Sequence, residues 1–116
     1  MPPKVKLDLG LVRAAGTRTF TGQPRGKKAR ADLRVNKLES EDVEVEVLVP
    51  ADTYSVSPSF ILGMFSPSIE ALGREEFLKK YDFSSWPVEL RGAVDEAIER
   101  VRSGVDVLSN IALAQQ

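Results

Sequence analysis

The chain has 116 residues, 42% hydrophobic and 28% charged, with a formal net charge of -1 and neither histidine nor cysteine. This length and balance suit one compact soluble domain with a single core. The missing residue types exclude disulfides, thiolate chemistry, histidine general bases and the usual zinc ligand sets from this chain alone. The charge is unevenly spread. Residues 1–38 hold ten Lys/Arg against Asp8 and Asp32, and residues 39–116 hold six against fifteen Asp/Glu. Such asymmetry marks a nucleic-acid or partner surface, or two halves that fold against each other and mix their charges.

In chain order, KVKLDL (4–9) alternates Val5, Leu7 and Leu9 with Lys4, Lys6 and Asp8, the pattern of a half-buried strand. TRTFTG (17–22) is rich in strand formers and ends at Gly22. Pro24 then suits the first turn of a helix predicted over residues 24–38, with Ala29 and Leu33 on one face and Gly26 weakening its start. VEVEVLV (43–49) is the clearest strand, valines on one face and Glu44 and Glu46 on the other, stopped by Pro50. A helix is expected from Ser57 or Ser59, with Ile61, Phe65, Ile69 and Leu72 at helical spacing. Pro67 should kink or restart it with Ser66 as a new cap, and Gly73 should stop it. REEFLKKYDF gives a short helix and a brief strand at residues 81–83. The last helix has Pro87 in its first turn, carries Leu90, Ala93, Val94, Ala97, Ile98 and Val101 on one stripe, and is expected to end at Gly104. Residues 1–104 therefore read as one domain, with 105–116 a tail or short helix that could serve a homodimer. The order predicts an α/β (α+β) fold, a small mixed sheet of about four strands with helices mainly on one face.

Three features bear on chemistry. TGQPRGKK holds glycines and cations before a helix, yet Gly22 and Gly26 are too close for a phosphate-binding P-loop, and no Ser/Thr follows Lys27 or Lys28. Glu39, Glu41, Asp42, Glu75 and Glu76 stand in surface-like contexts rather than as a paired acid and base. Ser55, Ser57 and Ser59 lead into an apolar helix, where a hydroxyl either caps the free amides or stands ready for modification. No enzyme activity, metal or cofactor is expected. The basic cluster at Arg25, Lys27, Lys28, Arg30 and Arg34 leaves a nucleic-acid-binding regulator, acting through a basic helix over 25–37, as the alternative function. The N-terminal ten residues lack an apolar leader and no stretch is long enough to span a bilayer, so a cytoplasmic protein without a membrane partner is expected.

The ordered run FTGQPRGKKARADL, VEVEVLV and VSPSFILGMFSPSIEALGREEFLKKYDFSSWPVELRGAVDEAI resembles the STAS-like domain family, related to anti-sigma factor antagonists. The resemblance covers roughly residues 17–101, and its markers are Ser57, Ser59, Phe60, Leu72, Gly73 and Phe77. It implies a STAS-like fold and a bacterial or phage regulatory module that docks on a protein partner, an ATP-binding histidine-kinase-type or anti-sigma-like protein. It also implies docking or phosphorylation at Ser57, Ser59 and Phe60, while the charge distribution offers Arg25, Lys27, Lys28 and Arg30 as a partner surface. The chain departs from the phosphorylated antagonists in carrying Val56 where an aspartate precedes the target serine, and Pro58 where the family has serine.

Overall fold

The computed structural model describes the backbone of residues 2–114 and the side chains of residues 2–104. Strand β1 (Lys4–Asp8) leads through a short 3-10 turn (Leu9–Val12) to β2 (Thr19–Phe20), α1 (Gln23–Asp32) and α2 (Val35–Ser40). Then follow β3 (Glu44–Leu48), β4 (Ser55–Val56), α3 (Pro58–Lys80), β5 (Tyr81–Asp82) and α4 (Val88–Ala114). The chain is a mostly helical α+β protein with two small sheets. One has the order β1-β3-β5, the other pairs β2 with β4.

The expected mixed sheet is corrected here. Every pairing among the described residues is parallel. Helical crossovers separate the paired strands, and a crossover returns the chain in the direction it left. The strands are also shorter than the sequence pattern suggests. Val43 and Val49 are half-buried flanks of β3 rather than members of it.

Alternation decides the faces. Leu7, Val45, Val47 and Tyr81 point into the core, and the helices cover that side. Lys4, Lys6, Glu44, Glu46 and Asp82 point the other way, with Lys4 opposite Glu44 and Lys6 opposite Glu46. An all-parallel sheet is ordinarily covered on both faces. Here opposite charges in register serve the outer face instead, and Lys4 reaches Asp82 at 2.8 Å. The Lys4 ammonium, followed by Ser84, holds the Asp82 carboxyl down at about 2 against its ordinary 3.8. A carboxylate depressed in the folded state contributes its full stability above its unfolded value and loses it as pH falls through the folded one. Thermal midpoints should therefore drop between about pH 4 and pH 2 by more in the wild type than in Asp82→Asn. Equal slopes for the two proteins in that window would disprove the coupling.

The densest part of the core is aromatic. Phe65 meets Phe77, Tyr81 and Phe83 with ring centroids 5.1 to 5.7 Å apart, and Phe83 meets Trp86 edge-on at 5.1 Å. Beyond the two-residue β5, the Trp86 indole donates to the Val47 carbonyl at 2.9 Å. A side chain thus takes over where the strand ladder stops.

Three helix boundaries differ from expectation. The helix expected over 24–38 is two, because Arg34 adopts a left-handed backbone (φ 56, ψ 47). That conformation costs a non-glycine residue about 1 kcal/mol, but it turns Val35 fully into the core. Second, α3 does not break at Pro67. Pro67 is exposed while Met64, Phe65, Ser68 and Ile69 around it are buried, so packing on the inner side holds the helix through it. Ser66 donates to the Leu62 carbonyl instead of starting a new helix. The break falls at Gly73, left-handed at φ 76 and ψ 170, where the stop is expected. It redirects the following turn so that Phe77 reaches the core, and Arg74 ties that turn to Asp95 and Glu99 of α4. Third, Gly104 does not end α4, which continues to Ala114. The expected homodimer contact through Val105–Gln116 lies outside the described side chains.

Candidate functional site: two helix N-termini and a groove

Strands β2 and β4 run side by side in the same direction, and each leads almost directly into a helix. Helices α1 and α3 therefore begin next to each other, with Gly22 and Ser57 as their N-caps. The Ser57 amide donates to the Phe20 carbonyl at 2.8 Å, which extends the ladder to the threshold of both helices. The Ser57 hydroxyl oxygen accepts from the Phe60 amide at 3.1 Å, the ordinary N-cap bond. It also accepts from the Gly22 amide at 3.4 Å. One hydroxyl thus joins the positive ends of two helices. Gly22 meets it with a backbone at φ 90, which a side chain would resist.

Close packing of the helices makes this possible. A Cβ placed on Gly26 would stand 2.1 Å from the Phe60 carbonyl oxygen, and one on Gly63 would stand 2.1 Å from the Gln23 carbonyl oxygen. The two backbones touch with nothing between them. In the sequence Gly26 reads as a weak helix start and as one of two glycines too close for a P-loop, and Gly63 is not singled out. A glycine inside an apolar helical stripe is the signal that could have found it.

The residues expected at the site divide in position. Ser57 and Ser59 are half-buried at the start of α3. Phe60 is not a surface contact. It is 2% exposed and packs on Phe20 with ring centroids 5.4 Å apart, because the first inward position of α3 falls over β2. Arg25, Lys27 and Lys28 stand exposed on α1. Arg25 and Lys28 edge a groove of about 290 Å³ whose floor is Val12, Ala14, Phe20, Ala29 and Phe60. Lys28 also pairs with Asp32 at 2.8 Å on that rim.

Arg30 does not join them. Its side chain is 11% exposed and turned inward. The guanidinium donates to the Met64 carbonyl and the Ser68 hydroxyl, both at 2.8 Å, and to the Asn36 side chain at 2.9 Å. Glu39 lies 4.0 Å from it and accepts from the Tyr81 hydroxyl at 2.9 Å. Burial first, and then the bond to Glu39, push the Tyr81 phenol well above its ordinary value. Tyr81 therefore stays protonated and donates. Glu39, read from sequence as a surface carboxylate, is instead the acceptor that ties α2 to α1 and β5. Glu41, Asp42, Glu75 and Glu76 are exposed, as expected.

The break at Arg34 also divides the basic segment, placing Arg34 and Lys37 beyond the end of α1. Among the described residues no three His, Cys, Asp or Glu side chains gather as a metal site, and no helix is long and apolar enough to cross a membrane. No protein-family model, no curated protein and no solved structure matches the chain.

Proposed function

We propose that the protein is a non-enzymatic regulatory module that docks on a protein partner through the shoulder where α1 and α3 begin. The observation that carries this reading is the Ser57 hydroxyl bridging two helix N-termini beside an apolar-floored groove with a cationic rim. The resemblance of residues 17–101 to the STAS-like family supports it and suggests the partner, an ATP-binding histidine-kinase-type or anti-sigma-like protein. In this reading the small parallel sheets with helices on one face are a divergent STAS-like fold. The absence of histidine and cysteine from the chain supports a binding rather than a catalytic role.

The same geometry gives the site a charge switch. A negative group on Ser57 would be held by the positive ends of both helices, and it would project charge into the docking surface. Ser59, two residues on, is the second candidate. Ser57→Asp should keep the cap and fold normally, yet weaken partner affinity at least about tenfold. Ser57→Ala should lose about 1 kcal/mol of stability and bind nearly as the wild type. Co-purification with full-length protein as bait, followed by calorimetric titration of the recovered ATPase, checks both. Undiminished binding by Ser57→Asp would refute the shoulder as the docking site.

The alternative, nucleic-acid binding by residues 25–37, draws on exposed Arg25, Lys27 and Lys28. Phosphate contacts by these cations would make binding fall steeply with salt. A flat mobility-shift titration at low salt would eliminate it.

A further inference from the structure

A second surface lies away from the α1–α3 shoulder, along the outer edge of β1. In the order β1-β3-β5 that edge has no strand beside it among the described residues. The Glu44 amide bonds to the Pro3 carbonyl, and Lys4 is paired with Glu44 in the parallel register. Alternate residues Pro3, Val5 and Leu7 therefore turn their backbone groups toward β3, and Lys4 and Lys6 turn theirs outward. Unpaired edge groups of this kind are a template for another extended chain.

Beside this edge runs a groove of about 390 Å³ between β1 and the α1–α2 junction. Leu7, Leu33 and Leu38 give it an apolar lining, and Leu11, 76% exposed, stands at its lip. The left-handed backbone at Arg34 shapes one wall, and the charged lining is Lys6, Arg34 and Lys37 with Asp8 and Glu41, three cations against two carboxylates. These three cations make no ion pair among the described residues, whereas Lys4, Lys28 and Lys79 each have a carboxylate partner. Lysines on an edge strand repel apolar and cationic strands. They favour an acidic one.

We propose that the β1 edge is a strand-addition site for an extended, acidic segment of a partner protein. The segment's backbone continues the sheet beyond β1. Its alternate apolar side chains enter the groove over Leu7 and Leu33, and the acidic residues between them fall on the outer face beside Lys6. This surface is separate from the Ser57 shoulder, so either can fail without the other.

The test is selection of a random displayed-peptide library on the full-length chain, with the enriched peptides then synthesised and titrated by NMR. Enriched sequences should alternate Asp/Glu with β-branched or aromatic residues. Their binding should shift residues 4–8 and 33–38 and slow exchange of the Lys6 amide. Lys6→Pro removes an amide that does not serve β3, a substitution edge strands accept, so its unfolding midpoint should stay put while binding is lost. Leu11→Glu, on a side chain open to water, should weaken binding about tenfold and serves as the check if Lys6→Pro unfolds. The proposal is overturned if no peptide is enriched, if enriched peptides are basic or shift α1 residues instead, or if both variants bind them unchanged. It is equally overturned if gel filtration shows a wild-type dimer that Lys6→Pro abolishes, since a second copy would then occupy the edge.

Discussion

Gly26→Ala and Gly63→Ala should each destabilise the protein by about 3 kcal/mol, a large part of a typical domain's stability. In an isolated helix the same change would stabilise by up to about 1 kcal/mol. The sign reverses because each added methyl would lie 2.1 Å from a backbone oxygen of the facing helix. Backbone has no rotamer to move, so α1 and α3 would have to separate, and the core behind them would open. Gly92 of α4 is the internal control. A Cβ there meets nothing within 4 Å, so Gly92→Ala should be neutral or stabilising. Denaturant melts of the three variants check this. Equal, mild effects at all three positions would contradict the crossing. The crossing also matters for function, since separation of the helices withdraws the Gly22 amide from Ser57.

Arg30→Ala should cost about 3 kcal/mol, toward the lower end for breaking a buried pair, because Glu39 keeps 20% exposure and its bond from Tyr81. The loss combines three hydrogen bonds with a carboxylate left without its cation. Arg30→Lys should recover less than half of it, since an ammonium cannot reach Asn36, Met64 and Ser68 together as the planar fork does. Tyr81→Phe removes one bond and should cost about 1 kcal/mol. The double variant should lose less than the two single losses added, because both act on Glu39. Strict additivity in urea melts would show that the groups do not form one network. If Arg30 were a partner-surface residue, its removal would change binding and leave the melt alone. The opposite is expected.

Much of the architecture is legible along the chain. Period-two alternation marks β1 and β3, helical spacing marks α3 and α4, and Pro24, Pro58 and Pro87 mark helix beginnings. Ser57 is readable as a cap because Pro58 follows it and an apolar stripe begins at once. These signals are local, and the forces behind them act over one or two turns. Pro67 misleads for the same reason. Its local rule is a broken helix, but buried neighbours on the inner face outweigh one missing amide.

The rest depends on what lies across the fold. Nothing near Arg34 announces a left-handed residue; that conformation exists because Val35 fills the core. Arg25, Lys27, Lys28 and Arg30 look alike in a row of cations, yet helix rotation sends three to water and one into a cage built from α2 and α3. Glu39 and Tyr81 are 42 residues apart and meet at 2.9 Å. By itself the sequence determined the chain's element types, its lack of histidine and cysteine chemistry, and a serine cap ahead of an apolar helix. Only the tertiary structure decided that this cap joins a second helix, that two glycines stand at a close approach of two backbones, and that the outer edge of β1 has no strand beside it among the described residues. Those outcomes depend on distances between segments far apart in the chain, and no local pattern of residues encodes them.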